Sequence, residues 1–341
     1  QENPFRVGGP VTGSHFTDRA EELARVRRAI REPSSLLVYG PRRMGKSSLI
    51  RVAVDGERRR AGEGGVALGA WAAVSTATTL ADVANRLLRS LAAELEGTGE
   101  RMVSLMKSVR PEVTLRFDAS GLPVPGLAPG VRREPVEDQR AALESVLDRV
   151  EALAAERAEA GEGPVALVFD EFQDVVEIGG ERADWFLRGV MQRHTHVSYI
   201  CAGSRESLIH QMLERKRAFY KHFELLHLGP LEAEYLAEWM EDRMKGGGVD
   251  PAGHGRAILE LAGERTQDRL QLAREVYASA RGRGRVEGAD LDRAVDVIVR
   301  AESAVFAAHW DSLSATQQNT LRAVAAAPEQ LYAAHVLHRF G

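Results

Sequence analysis

Cysteine occurs once in the 341 residues, at Cys201, so no disulfide can form within the chain. Lysine is nearly as scarce: Lys46, Lys107, Lys216, Lys221 and Lys245 are the five among 45 basic residues. That bias makes arginine clusters largely a matter of composition, and makes a lysine inside a glycine-rich stretch more noticeable. Positive charge is not in excess either. The net charge of −4 excludes a chain coated in basic residues for unspecific nucleic-acid binding, though not a local basic surface. No uninterrupted apolar run approaches the roughly 18 residues of a membrane span, and the opening "QENPFRVGGPVTG" lacks a basic-then-apolar signal pattern. A reducing, cytoplasmic setting without membrane contact is the expectation. What is present is the mix of a globular protein, 44% hydrophobic and 28% charged, in a chain long enough for two or three domains.

Along the chain, "TDRAEELARVRRAI" (17–30) places apolar residues at helical spacing behind Asp18 and Glu21, a capping-box-like start. "SSLLVYG" (34–40) is a short, continuously apolar strand of the kind buried in a parallel sheet. A helix over about 45–60, a strand near 66–75 and a helix near 79–96 continue an α/β rhythm. The rhythm breaks at 97–135, where clustered glycine and proline around alternating Val113, Leu115 and Phe117 predict a β-hairpin or irregular insertion. A long helix (136–159) and strands at 164–172, 197–204 and 223–231 follow. Beyond Pro230 only helical periodicity remains, over 232–245, 254–262, 266–281 and 288–308. The expected division is a core over 1–229, a helical region over 230–308 and a different C-terminal segment over 309–341.

The chemistry begins with "LLVYGPRRMGKSSL". Its G-x-x-x-x-G-K-[ST] spacing is met by Gly40, Gly45, Lys46 and Ser47, between a strand and a helix. The candidate phosphate cradle runs through Gly40, Pro41, Arg42, Arg43, Met44, Gly45, Lys46, Ser47 and Ser48. Glycines let several backbone N–H groups face one anion, the helix N-terminus adds partial positive charge, and the lysine reaches the outer phosphates. Ser47 would hold Mg²⁺ through its hydroxyl. The second element, "VALVFDEFQD", is a buried strand ending in Asp170-Glu171. Alone, such a pair also fits a helix cap or a solvated turn; beside the glycine pattern, Asp170 reads as the metal-shell carboxylate and Glu171 as the general base. No N-K-x-D guanine-reading motif occurs, which favours ATP. Third, "YICAGSR" ends a strand on Ser204, placed either to meet the γ-phosphate or the attacking water, or to cap a helix. Cys201, without a second thiol or a metal ligand beside it, reads as core.

In this order, with "NPF…VTG…F-x-x-R-x-x-E-L" before them and "FELLHLGPL" plus a helical region after them, these motifs resemble the archaeal-type ATPases of the STAND branch, relatives of AAA+ proteins and of the origin-recognition ATPases. The resemblance covers nearly the whole chain. It implies an α/β P-loop NTPase fold of the ASCE, AAA+-like class. The parallel sheet would have the order 5-1-4-3-2, with the strand of Ser204 between the glycine-loop strand and the acidic strand, followed by a helical lid. It also implies an adenine site built by the N-terminal segment, with Phe5, Arg6, Val7 and Thr12 as candidates, and ATP or ADP with Mg²⁺ as ligands. The wording from His309 onward, with Ser314 capping a helix, a turn at Pro328 and a second helix near Tyr332, resembles the opening of a winged-helix domain whose third helix and wing are not reached.

Two departures from the family pattern stand out. Where a Gly-Arg pair would precede the last strand, this chain has Lys221 and His222. Either Arg217 or Arg205 acts as the finger toward a neighbouring site, or none does and hydrolysis is slow. In the lid, "LAGERTQDRLQLA" puts Arg265 near the expected proline, the first candidate for a second γ-phosphate sensor, with Arg269 behind it. Lys46, Glu171, Ser204 and Arg265 thus form the expected catalytic set. Two functions are compatible with it. One is an ATPase whose cycle moves the lid and the C-terminal segment against DNA or a protein partner, with self-assembly. The other is a slow signalling switch whose assembly state follows ATP or ADP.

Overall fold

The computed structural model describes residues 2–59, 67–95, 115–117, 123–125 and 136–327. They divide into two compact units. The described residues within Arg6–Leu236 and Gly263–Asp268 make the first; those within Gln1–Phe5, Ala237–Ala262 and Arg269–Gly341 make the second.

The first unit is built on seven strands in chain order: β1 (Ser35–Tyr39), β2 (Leu68–Ala73), β3 (Leu115–Phe117), β4 (Pro123–Pro125), β5 (Val165–Asp170), β6 (Val197–Gly203) and β7 (Glu224–His227). β3 and β4 pair antiparallel as a separate ribbon inside the stretch where the sequence rhythm breaks. The other five form one parallel sheet in the order β2-β5-β6-β1-β7. Counted along the chain, the parallel strands lie 5-1-4-3-2, and the strand carrying the approach to Ser204 separates the acidic strand from the glycine-loop strand.

Continuous apolar strands fit this sheet because both faces are covered. Side chains alternate across it. Leu37, Leu167, Phe169, Tyr199 and Cys201 enter one core with the helices α3 (Leu80–Glu94) and Val136–Glu159. Leu36, Val38, Ala166, Val168, Ile200 and Ala202 enter the other with α1 (Ala20–Arg31) and α2 (Lys46–Arg59). Cys201 is fully buried, and burial pushes its thiol well above the ordinary range, the behaviour of a core residue. At the sheet edge, Glu224 of β7 accepts from Arg25 and Arg28 of α1, placing charge on an otherwise open strand.

Several local expectations are corrected. Asp18 does not cap α1: its φ is 45°, and the N-cap is Arg19, whose guanidinium donates to Gly229 O at 2.6 Å and to Glu22. Two short helices, Phe172–Ile178 and Ala183–Met191, follow β5 where no element was expected; Gly179 and Gly180 part them, leaving each too short to show a full apolar period. β7 ends at His227, short of 231, because Gly229 and Pro230 follow and proline offers no N–H to a ladder.

The second unit is helical: most of Ala233–Gly246, then Gly255–Ala262, most of Thr266–Ala280, Gly288–Ser312 and Ala315–Ala326. Gly288–Ser312 runs four residues past the expected end. Ser314 caps Ala315–Ala326 through a reciprocal box with Gln317. The expected second helix near Tyr332 lies outside the described residues. Among the described residues no helix is long and apolar enough to cross a membrane.

Candidate functional site

β1, between β6 and the edge strand β7, runs into the glycine loop. Gly40 has φ 147°, and a Cβ there would lie 2.4 Å from the backbone oxygen of Leu228, just beyond β7. Only glycine fits, because that neighbour is backbone and is itself tied down by Leu228 N donating to Tyr39 O at 2.7 Å. Gly45 has φ 96° in open space, so its requirement is conformational alone. Met44 is buried and anchors the loop's middle in the core. Arg43 takes a left-handed φ of 70°, an uncommon conformation for a side chain of its size. Its carbonyl accepts from Gln267 N at 3.2 Å, and its guanidinium pairs with Asp268 at 3.0 Å.

Lys46 and Ser47 open α2. The Lys46 ammonium is buried and donates to the carbonyls of Gly40 and Pro41 at 2.8 and 2.7 Å. Burial lowers its proton affinity, and Glu171 and Asp170 oppose that by attraction. Ser47 Oγ donates to Asp170 Oδ2 at 2.9 Å across the sheet. Burial raises the Asp170 carboxyl above its usual range, with Glu171 adding to the rise and the Ser47 hydrogen bond opposing it. Ser48 faces elsewhere: its hydroxyl accepts from Val11 N at 3.0 Å and ties the N-terminal segment to the loop.

Glu171 leaves β5 in the left-handed region, with φ 60° and ψ 54°, which turns its side chain toward the end of β6. There Ser204 Oγ donates to both carboxylate oxygens at 2.8 and 2.7 Å, and Ser204 N donates at 3.2 Å. Gln173 Nε2 adds a bond at 2.7 Å. Burial alone would raise Glu171, but the hydrogen bonds from Gln173 and Ser204 and the charges of Lys46 and Arg42 outweigh it, holding the carboxylate below its ordinary range. Arg42 Nε in turn donates to Ser204 Oγ at 3.3 Å.

The fold therefore gathers Gly40 to Ser47, Asp170, Glu171 and Ser204 into one place. Val11 holds Val7 and Thr12's segment near the loop, and Thr12 itself is exposed. Phe5 belongs to the helical unit, where it is buried against Trp239 and Tyr277. Arg265 is exposed just ahead of Thr266–Ala280, while Arg269 is buried in the helical unit. Arg205 is engaged by Asp174 and Glu177. Arg217 is exposed beside a cavity of about 300 Å³ whose wall includes Gln173, Leu208 and Met212. Sequence reasoning missed Gln173 and the reach of Arg42; both stand in the quoted motifs, but nothing in their spacing says which way they point.

Ser47 and Asp170 offer a hydroxyl and a carboxylate converging on one point. Those are hard oxygen donors too few for a closed cage, as suits Mg²⁺ completed by phosphates and water. They fit the ion.

A family model described as "AAA ATPase domain" matches residues 15–200. No curated protein matches the sequence. Solved structures are similar in fold. The Walker-type ATPase PABY2304 of Pyrococcus abyssi aligns with TM-score 0.60 and 16% identity over 94% of this chain and 81% of its own. The Aeropyrum pernix ORC2 protein, solved as ADPNP-ADP complexes, aligns with TM-score 0.58 and 17% identity over 94% and 78%. The Aeropyrum pernix ORC1 protein in complex with DNA aligns with TM-score 0.55 and 19% identity over 95% and 77%.

Proposed function

The chain belongs to the AAA ATPase domain family, and on that footing we propose that it binds ATP with Mg²⁺ and hydrolyses it. The observation that carries this reading is the Asp170-Glu171 pair, one carboxylate bonded to Ser47 of the loop and its neighbour held by Ser204. In the proposed reaction Glu171 takes a proton from water as the water oxygen bonds to the γ-phosphorus. The bond to the bridging oxygen breaks, leaving ADP and inorganic phosphate. Lys46 opposes the charge that grows on the departing oxygens, and the loop N–H groups orient the chain of phosphates. Ser47 and Asp170 would hold Mg²⁺, which when bound neutralises phosphate charge. Val7 and Thr12 are proposed to border the adenine; Phe5 and Arg265 are proposed to approach it and the γ-phosphate respectively during the cycle.

What the cycle drives is proposed from continuity of the chain. Gln267 and Asp268 bond to Arg43 of the loop, and the helix they begin continues into the helical unit. A change at the phosphates thus has a route, through a hydrogen bond and an ion pair to that helix, into the proposed lid (230–308). The C-terminal segment (309–341) is proposed to begin a winged helix acting on DNA or a protein partner, in a STAND-type, self-assembling cytoplasmic protein. The Aeropyrum pernix ORC1 protein, solved in complex with DNA, makes DNA the first partner to try.

A second reading, the slowly hydrolysing switch, is favoured by one observation: the hydrogen bonds that hold Glu171 also lower its basicity. Phosphate release measured against protein concentration, with and without duplex DNA and with Lys46→Ala as the binding-deficient variant, tests both. Sustained release lost in Lys46→Ala supports the ATPase. Tight nucleotide binding with negligible release supports the switch, and no nucleotide binding sinks both.

A further inference from the structure

We propose that Arg42, inside the glycine loop, supplies the guanidinium that meets the γ-phosphate, so that hydrolysis is completed within one chain rather than by a neighbour's arginine. The inference rests on the ATP-site reading above.

Position is the first reason. Arg42 is the second residue after Gly40, in the stretch whose backbone would curl around the phosphates. Its side chain crosses from β1 to the end of β6, with Nε at 3.3 Å from Ser204 Oγ. That hydroxyl is bonded to both oxygens of Glu171. The guanidinium therefore lies two hydrogen bonds from the candidate base. Nε is the atom engaged, and the two terminal nitrogens of the planar fork are the pair a guanidinium uses for bidentate contact with phosphate oxygens.

Its field supports the same placement. The charge of Arg42 acts on Glu171 and on Lys46, the two residues that bracket the reacting bond in the proposed mechanism. The residue is also exposed, so the fold gains little from it.

Three other arginines near the site are engaged elsewhere. Arg43 pairs with Asp268, Arg205 with Asp174 and Glu177, and the Arg51 guanidinium stacks 4.8 Å from the centre of the Trp71 ring. Arg217 borders the cavity behind Gln173. A cation carried by the loop itself also needs no second chain to arrive.

The test compares wild type, Arg42→Ala, Arg42→Lys and Arg217→Ala. Phosphate release is followed over a wide range of protein concentration, and ATPγS and ADP affinities are measured by calorimetry. Wild-type rate per chain is expected to stay constant with concentration, and Arg42→Ala to lower it by at least about 100-fold, the scale of removing one preorganised donor. Arg42→Lys recovers part of the loss, and Arg217→Ala little changes the rate. Arg42→Ala also loses about tenfold of the preference for ATPγS over ADP, the worth of one charge-assisted hydrogen bond. Wild-type or faster turnover in Arg42→Ala overturns the proposal, as does a rate that climbs with concentration and is lost in Arg217→Ala. If wild type does not hydrolyse ATP, the ATPase reading fails by itself. The nucleotide preference then still decides on Arg42: an unchanged preference in Arg42→Ala refutes the contact.

Discussion

Ser204 and Glu171 are bonded three times over: the serine hydroxyl reaches both carboxylate oxygens, and the serine N–H donates to one of them. The consequence is electrostatic as well as positional. Burial would raise the glutamate's pKa, and donors from Ser204 and Gln173 together with the charges of Lys46 and Arg42 lower it. Glu171 acts as a base only when ionised. Ser204→Ala removes a donor, so the carboxylate's pKa rises and the acid limb of the kcat–pH profile moves to higher pH. One charge-assisted hydrogen bond corresponds to a displacement of about one pH unit. Glu171→Gln keeps ATP bound and lowers turnover by about 10²- to 10⁴-fold. An acid limb that stays in place in Ser204→Ala, or near-normal turnover in Glu171→Gln, sinks the base assignment.

The two glycines of the loop make different predictions. At Gly40 an added methyl meets the Leu228 backbone oxygen at 2.4 Å, and that backbone is pinned to Tyr39. At Gly45 nothing lies within 4 Å and only the positive φ opposes a side chain. Gly40→Ala is expected to cost about 3 kcal/mol and Gly45→Ala about 1–2 kcal/mol. Thermal unfolding of the two variants checks the ranking, and equal losses would show that the close approach to Leu228 does not matter.

Legibility followed sequence distance. The glycine loop could be read because its residues lie within eight positions, and the acidic pair because it ends an apolar strand. Sheet order came with the family resemblance, since parallel strands leave no local trace of which neighbour they choose. Contacts across the sheet were illegible for the same reason. Arg42 and Ser204 are separated by 162 residues and Ser204 and Glu171 by 33. They meet because β6 lies between β1 and β5, with Val38 opposite Ala202 and Phe169 opposite Cys201. Phe5 shows the converse difficulty. An N-terminal aromatic suits a base-stacking role as well as a core, and its partners Trp239 and Tyr277 lie more than two hundred residues away.

Arg43 and Asp268 yield a prediction about coupling rather than stability. Their side chains are 45% and 30% exposed, and such a pair contributes at most about 1 kcal/mol. Asp268→Ala should leave the melting temperature nearly unchanged. It should weaken the nucleotide-dependent change in hydrogen exchange along Thr266–Ala280, because the loop loses its side-chain grip on that helix's first turn. The same exchange response in wild type and variant would remove this pair from the route.

Asp290 is expected to make the start of Gly288–Ser312 sensitive to acid. Its side chain is fully buried at the start of Gly288–Ser312, bonded to Ser279, Arg283 and Arg293, and it closes the capping box with Glu287. Burial alone would raise this carboxyl, and the Arg283, Ser279 and Arg293 hydrogen bonds drive it far below the ordinary range. A carboxyl whose folded pKa is depressed binds protons more readily when unfolded. Its stabilisation is therefore complete above the unfolded value of about 3.9 and drains away as pH falls toward the folded one. Asp290→Asn, which keeps the shape and deletes the charge, should cost about 2–3 kcal/mol near neutral pH. The difference from wild type should shrink steadily below about pH 4. Hydrogen exchange within Gly288–Ser312 at several pH values measures it locally. A gap that widens in acid would contradict the ion-paired assignment and imply that the residue is buried uncharged.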